Sequence, residues 1–427
     1  MSAHDHLVMM ACICPPEVLF ILLWILLRTS FVSLQSRQRQ SSRQWLRFAT
    51  TLKNPAVRTL AAAMFMPPLI HKCRRLKAVP LEWIGAGYKG TLSKRWLRRL
   101  DNAPDPAFVN EANNKQSLGA LFEWCIAYAI QRYCTHESAA FRVQVQAFEK
   151  KITLGEMDVL LLAKKITTYH HLELSCKVFL VYDESTELPT HLVSKPVPEL
   201  FEGEAWAMCR TSGPHKRERL VDAARRVSNQ LAFGSTQEAV AAARRALGAD
   251  RATCAGSLGA LRGFVLLPMA CYSDSTRRRS SVARGLGGWQ GWWVRRAESA
   301  RLEVLLGGDR TRRKFAILPN TASWLTPVVL VPGNYAMDAK NIEVYDDAHR
   351  LHRRLVAIAD EAANESPARR DRANRKFVVE LVRNAHNGWW VEESRGMVVE
   401  DGWPHANGGK VPSSDARSLS PVPTRRL

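Results

Sequence analysis

Runs of apolar residues divide the central part of the chain into recognisable strands and helices. Met157–Ala163 and Leu172–Leu180 are apolar runs of strand length, and the polar turn Lys164–Thr168 joins them. The first run is almost continuously apolar, which is typical of a strand covered on both faces. Phe141–Phe148 alternates apolar and polar residues and predicts the preceding strand. Leu118–Ile130 is apolar nearly all round and therefore predicts a buried helix.

The same patterns predict further elements in the C-terminal half. Ser235 and Glu238 form a capping-box pattern, which predicts the start of a helix that ends near Gly248. An amphipathic pattern over Asp346–Ala362 predicts another helix. The predicted strands are Gly263–Ala270, a hairpin of Leu302–Leu306 with Lys314–Leu318, a hairpin of Phe377–Val382 with Trp389–Val391, and a last strand at residues 395–399.

The hairpin predicted at residues 157–180 carries charges where buried strands rarely do. Asp158 interrupts the first strand, and Glu173 and Lys177 interrupt the second. Because side chains alternate along a strand, Glu173, Ser175 and Lys177 share one face, and Asp158 comes near it from the neighbouring strand. Such a group could hold a divalent cation against a phosphate. The alternative is a buried ion pair between Lys177 and one of the acids, and the residues alone leave both interpretations open.

Two motifs in this hairpin resemble a known superfamily. Residues 155–160 read Gly-Glu-Met-Asp-Val-Leu, and residues 171–177 read His-Leu-Glu-Leu-Ser-Cys-Lys. Together they resemble the PD-(D/E)XK nucleases and, more narrowly, a bacterial family named as domain of unknown function 1853. The resemblance implies an α/β fold with a restriction-endonuclease-like core, in which helices flank a central mixed sheet. It also implies a C-terminal β-rich extension.

The resemblance implies a Mg²⁺ or Mn²⁺ site held by Asp158, Glu173 and the Leu174 carbonyl, with Glu123 completing it from the predicted helix. In the superfamily a lysine two residues after the glutamate helps to activate or orient the attacking water. Here Ser175 occupies that position, and Lys177 begins roughly 6–7 Å farther along the strand. We expect the histidines at 170 and 171 to be turn or interface residues. The candidates for a supporting role around the ligands are Glu156, Ser175 and Gln146.

The net charge of the 427-residue chain, +21, favours a polyanionic partner, either nucleic acid or an anionic membrane surface. Heavy arginine usage alone is the competing explanation. A basic helix predicted at Lys216–Leu231 could contact phosphates, or it could be a solvated face with Arg–Glu pairs. Residues 288–293, Gly-Trp-Gln-Gly-Trp-Trp, could stack on bases, although packing between sheet and helix is favoured. The candidate phosphate contacts are Lys216, Arg217, Arg219, Arg225 and Arg226.

We divide the chain into four regions on these patterns. Residues 1–51 form a hydrophobic and basic extension, in which Val18–Leu27 is ten apolar residues long and short for a membrane span. That extension is either a membrane anchor or the product of a misassigned start. Residues 52–335 form the nuclease-like domain, residues 336–404 add a helix and a β-hairpin, and residues 405–427 form a disordered tail.

Three functions remain to be distinguished. The first is a cytoplasmic, Mg²⁺-dependent nuclease that hydrolyses phosphodiester bonds, with DNA favoured over RNA as its substrate. The second is a catalytically inactive nucleic-acid-binding module that retains the nuclease fold, since the displaced Lys177 leaves the activating position to Ser175. The third is a protein anchored to a membrane through Val18–Leu27, with its basic residues on the lipid surface.

Overall fold

The computed structural model describes residues 45–70, 91–115, 117–133, 138–148, 152–162, 167–182, 211–214, 218–273, 288–306, 313–319, 322–331, 342–366, 369–370, 373, 375–401 and 403. Four predicted features therefore lie outside the described residues: the apolar run Val18–Leu27, the side chains of Lys216 and Arg217, and the tail at 405–427. Within the described part, no helix combines the length and the apolar character that crossing a membrane requires.

Several helices begin at residues whose side chains accept hydrogen bonds from free backbone N–H groups. Asn54 caps the first helix, Asp105 the third and Thr236 the sixth. Thr236, and not the predicted Ser235, is the cap of that sixth helix, and Gly248 ends it in the left-handed conformation. The helices are α1 Pro55–Phe65, α2 Thr91–Asn102, α3 Pro106–Asn114, α4 Leu118–Tyr133, α5 Leu220–Phe233, α6 Gln237–Leu247, α7 Met269–Ser273, α8 Leu302–Leu306 and α9 Ala348–Glu361.

The described strands form one mixed sheet in the order β1-β2-β3-β5-β6-β11-β10-β7-β9, with β4 beside β3 and β8 beside β11. The pairs β3–β5, β5–β6 and β6–β11 are parallel, and the remaining pairs are antiparallel. The strands are β1 Ser138–Gln146, β2 Thr153–Leu162, β3 Thr168–Val181, β4 Thr211–Ser212, β5 Thr253–Pro268, β6 Trp289–Arg295, β7 Arg313–Ile317, β8 Val329–Leu330, β9 Glu343–Tyr345, β10 Lys376–Arg383 and β11 Trp390–Val399.

Helices cover both faces of this sheet, so its central strands read as continuous apolar runs. On one face, α4 packs against the even-numbered side chains of β3, such as Leu172 and Leu174, and α1 and α3 pack against α4. On the other face, α5 packs against Phe179 and Val181, and α6 packs against Tyr169. The α/β class and the mixed sheet flanked by helices agree with the sequence prediction.

The packed core and the sheet extend across the boundaries of the predicted regions. Trp45 is buried and its ring meets that of Trp289 edge to face at 4.7 Å, so the packed core includes residues before 52. The C-terminal strands also belong to the main sheet, because β11 pairs with β6 and β10 pairs with β7. The predicted hairpin at residues 302–318 is wrong. Leu302–Leu306 is a short helix, since an apolar run of five residues has no periodicity that separates helix from strand.

Candidate functional site

The β2–β3 hairpin brings Asp158 and Glu173 together. The last paired residues of this hairpin are Val159 and Leu172, so Asp158 and Glu173 face each other at the point where the two strands stop pairing. The Asp158 carboxylate Oδ2 accepts a hydrogen bond from the Leu174 backbone N–H at 2.7 Å. The Glu173 side chain lies close enough for its negative charge to raise the pKa of Asp158.

At this point the side chains of β1 and β2 switch from one face of the sheet to the other. Phe141 packs on the α4 face and Val143 on the α6 face, although residues two apart normally share a face. Met157 and Val159 on β2 differ in the same way. Arg142 lies between the two β1 residues with φ +53°, a conformation that non-glycine residues rarely adopt. The irregularity lies beside Asp158, so this carboxylate sits between the two faces of the sheet.

Burial and neighbouring charges perturb the carboxyl groups. Desolvation and, to a smaller extent, the negative charge of Glu173 together raise the pKa of Asp158 to about 7. Desolvation also raises the pKa of Glu173 to about 7, although hydrogen bonding to Asp158 opposes the change. Glu173 is 2% exposed and therefore has little access to solvent that would stabilise its charge. Acids that are held in this way are characteristic of functional sites, although structural networks show the same shifts.

His171 supports Glu173 from the same face of β3. Its Nε2 lies 2.7 Å from Glu173 Oε1, and its Nδ1 lies 3.3 Å from Ser257 Oγ. Burial lowers the pKa of His171 to about 4, so the ring is neutral at pH 7 and the contact is a hydrogen bond between Nε2–H and the carboxylate. The Gly234 backbone packs directly against the ring, because a Cβ at this position would overlap His171 Nδ1. The histidine thus fixes the orientation of Glu173.

Glu123 approaches Asp158 from α4, on the opposite face of the sheet from His171. Glu123 and Asp158 line one cavity of about 390 Å³, together with Leu174. Burial raises the pKa of Glu123, and the charge of Asp158 adds to the increase. Three acids from three elements therefore influence one another electrostatically, with Asp158 between the other two.

The donor chemistry of this site fits a hard divalent cation, because carboxylate and carbonyl oxygens are the ligands that Mg²⁺ prefers. A cation would also compensate the negative charges whose repulsion adds to the effect of burial in raising the three pKa values. Nevertheless, among the residues that the structure describes, no three His, Cys, Asp or Glu side chains converge as a preformed metal-binding group. Asp158 and Glu173 form a pair, and Glu123 joins them only across the cavity.

Lys177 points to a different partner. Its Nζ lies 3.6 Å from Glu218 Oε2, and Glu218 also pairs with Arg226. Burial lowers the pKa of Lys177, and the positive charge of Arg226 lowers it further. The ammonium group is therefore paired with the segment that precedes α5, and its ion pair is with neither Asp158 nor Glu173.

The other predicted site residues have varied surroundings. Glu156 forms an ion pair with Arg142 at 3.2 Å and lies close enough to Asp158 to raise its pKa. Ser175 is half-buried on the face of Glu173, while Gln146 is exposed at the end of β1. The prediction that Arg219 contacts phosphate is wrong for this structure: the side chain is buried and pairs with Asp222 at 3.0 Å, at the start of α5.

On α5 itself, Arg225 is half-buried and Arg226 is exposed, so Arg226 can reach a ligand in solvent. The tryptophans of residues 288–293 are packed in the core, which is the alternative that the sequence favoured. Trp292 is fully buried, and the Arg395 guanidinium lies 3.7 Å from the centre of the Trp289 ring. These rings do not offer a face to nucleic acid.

Sequence reasoning missed two features of the site. His171 was assigned to a turn or an interface, although its two-residue spacing from Glu173 places both on one face of β3. An aromatic wall in the cavity was also missed. It consists of Phe108 on α3 with Trp124 and Tyr128 on α4, and the four-residue spacing of the latter two was the available signal.

The comparisons with known proteins agree with the extent of this fold. Residues 58–399 match the family described as Domain of unknown function (DUF1853). No curated protein and no solved structure matches the chain. The matched range covers most of the chain, includes Glu123, Asp158 and Glu173, and extends to the last residue of β11. The chain therefore belongs to the DUF1853 family.

Proposed function

We propose that this protein is a nuclease that depends on Mg²⁺ or Mn²⁺ and hydrolyses phosphodiester bonds of nucleic acid, with DNA favoured over RNA. The observation that carries the proposal is the contact of Asp158 with Glu173 at the end of a strand pair, beside a cavity that Glu123 also lines. The motifs at residues 155–160 and 171–177 resemble those of PD-(D/E)XK nucleases, so we also propose a restriction-endonuclease-like core for β1–β3, α4 and α5.

In this proposal Asp158, Glu173, Glu123 and the Leu174 carbonyl hold the cation. When bound, Mg²⁺ supplies a water of lowered pKa and neutralises charge on the scissile phosphate. Asp158 and Glu173 lose their protons near pH 7, which makes their oxygens available as ligands at neutral pH and above. His171 keeps Glu173 in one orientation through the 2.7 Å hydrogen bond, and the neutral ring adds no competing positive charge.

The proposed role of Lys177 has less support than the proposed roles of the three acids. It shares a face of β3 with Glu173, four residues away, but its ammonium group forms an ion pair with Glu218. The proposed role of Lys177 in orienting the attacking water requires its ammonium group to leave that pair. Since an ion pair with this exposure contributes about 0–1 kcal/mol, the rearrangement costs little.

A cleavage assay tests the proposal directly. The purified full-length protein is incubated with Mg²⁺ or Mn²⁺ and with single-stranded, duplex and branched DNA and with RNA. We expect cleavage of at least one substrate, its loss with EDTA, and a decrease of more than about a hundredfold for Asp158→Ala, as removal of a group that stabilises developing charge predicts. Glu361→Ala is the control, because Glu361 is an exposed acid on α9 that does not line the cavity. Intact substrates under every condition would refute the proposal.

A nucleic-acid-binding module without catalytic activity is the second candidate. Two observations favour it: the pairing of Lys177 with Glu218, and the lack of a preformed three-ligand group among the described residues. Calorimetric titration with Mn²⁺ separates the candidates. Binding that Asp158→Ala abolishes supports the nuclease, whereas nucleic-acid binding without any Mn²⁺ binding supports the inactive module.

A further inference from the structure

The cavity beside Asp158 has an aromatic wall that the proposed chemistry leaves unexplained. Trp124 and Tyr128 lie one turn apart on α4, and both rings line the cavity and are half-buried. The buried Phe108 ring backs them, stacked on Trp124 at 4.8 Å and 19° and tilted against Tyr128 at 4.3 Å and 36°. The wall therefore presents aromatic surface to the cavity that also contains Asp158 and Glu123.

Hydrogen bonding and packing hold this wall in place. The Tyr128 hydroxyl donates to Asp105 Oδ2 at 3.2 Å, and Asp105 caps α3 through the Ala107 and Phe108 N–H groups. Trp124 and Tyr128 are themselves near-parallel, at 5.7 Å and 24°. A planar ligand that stacks here meets rings that are already oriented, so binding loses little conformational freedom.

From this arrangement we infer that the cavity takes one unpaired nucleobase, so that the substrate is a single-stranded or flipped-out nucleotide whose base stacks on Trp124 and Tyr128. The inference rests on the proposed function for its substrate class. A volume of about 390 Å³ lies in the range of small-molecule sites, and the half-open cavity is lined mainly by α3 and α4, with residues of β1–β3. A base that is paired within a duplex cannot enter such a site without leaving its stack.

The charges around the cavity are compatible with this occupant. Its lining includes three cations, each paired with an acid: Lys115 with Glu111, Arg132 with Asp105, and Arg142 with Glu156. The Arg132 and Arg142 side chains are 63% and 75% exposed, so exchanging either partner for a phosphate costs little. The wall would hold the base while the outer cations contact the flanking phosphates, as in other single-strand sites.

Fluorescence anisotropy in EDTA tests this inference without cleavage. The probes are a short fluorescein-labelled single strand of DNA and the blunt duplex of the same sequence, each titrated with the full-length protein. We expect the single strand to bind about tenfold more tightly. Trp124→Leu should weaken single-strand binding about tenfold, or about 1.4 kcal/mol, and leave duplex binding unchanged. Equal affinities for the two probes, or an unchanged single-strand affinity in Trp124→Leu, would overturn the inference.

Two further variants make the test independent of folding. Trp124→Phe keeps an aromatic ring at the wall and should bind the single strand within about threefold of wild type, since stacking tolerates the change of ring. Trp390→Leu removes a half-buried tryptophan on β11, outside the cavity, and should leave both affinities unchanged. Single-strand preference without metal-dependent cleavage would support this inference and refute the proposed function. Cleavage of duplex DNA that Trp124→Leu does not affect would support the proposed function and refute this inference.

Discussion

Replacing Asp158 with asparagine should stabilise the protein at alkaline pH when divalent cations are removed. Burial and the neighbouring Glu173 raise the pKa of Asp158 from 3.8 to about 7, so the folded state favours the protonated form. A raised pKa contributes stability below the unfolded value, and that contribution is lost as pH rises through about 7. Above pH 7, the wild-type site therefore holds two adjacent negative charges with little solvent around them.

The size of this effect follows from the shift. About 3 pH units at about 1.4 kcal/mol each give about 4 kcal/mol, and this is an upper limit, because Asp158 and Glu173 share one repulsion that counts once. Asparagine removes the charge, its carbonyl oxygen still accepts from the Leu174 N–H, and its amide group donates to Glu173. We expect Asp158→Asn to gain about 2–4 kcal/mol over wild type at pH 8 and less than half of that at pH 5, because the wild type begins to lose stability as soon as the pH exceeds the unfolded pKa of 3.8.

Urea unfolding with EDTA across this pH range measures the difference between the two proteins. Asp105→Asn is the control, since hydrogen bonds from Phe108, Tyr128 and Ala107 lower the pKa of Asp105 despite desolvation. Its asparagine still caps α3 but loses the charge, so any cost should be about the same at pH 5 and pH 8, which both lie above the unfolded pKa of Asp105, and should be opposite in sign to the effect of Asp158→Asn. An Asp158→Asn variant that is equally destabilised at pH 5 and pH 8 would refute the reasoning.

Two core predictions can be checked by the same unfolding measurements. Gly234→Ala places a Cβ against the His171 ring and should lower the free energy of unfolding by about 1–3 kcal/mol. The control is Gly119→Ala, which should be neutral or stabilising because nothing lies within 4 Å of the added Cβ. Equal effects of the two substitutions would contradict the close packing of Gly234 on His171. Arg395→Met leaves Glu392 buried without its partner and should cost about 3–5 kcal/mol. The double variant with Glu392→Leu should regain most of that loss, and no recovery would contradict the role of the pair.

The sequence predicted those elements whose pattern is local. The buried helix α4, the β2–β3 hairpin and the β10–β11 hairpin each follow from periodicity and turn residues within fewer than about thirty residues. The proximity of Asp158 to Glu173 could be predicted for the same reason, since both belong to one hairpin. The position of Glu123 opposite Asp158 came from the resemblance, because nothing local fixes which face of the sheet α4 covers.

The remaining features depend on contacts between distant parts of the chain. Strand β11 lies between β6 and β10, and the parallel pairing with β6 joins residues about a hundred positions apart. The buried position of Arg219 also escaped prediction, because its spacing from Asp222 fits a surface pair equally well. The face change at Arg142 and Asp158 has no sequence signal that we can identify.

Glu218 offers a way to test whether Lys177 serves the site. Glu218 holds both Lys177 and Arg226, so Glu218→Gln removes the negative charge that keeps the lysine beside α5. On the Lys177 face of β3, the remaining acid is Glu173, and the ammonium group gains from turning toward it. If the proposed nuclease uses Lys177, we expect metal-dependent cleavage by Glu218→Gln to rise above wild type.

The matched comparison is the double variant Glu218→Gln with Lys177→Met. It should lose the gain and fall below wild type, because the thioether carries no charge to orient a water. A Glu218→Gln variant that raises activity equally with and without Lys177 would show that the effect comes through Arg226. Equal activity in all three proteins would show that the Ser175 spacing has removed the lysine from the reaction, and Asp158, Glu173 and Glu123 would then act without it.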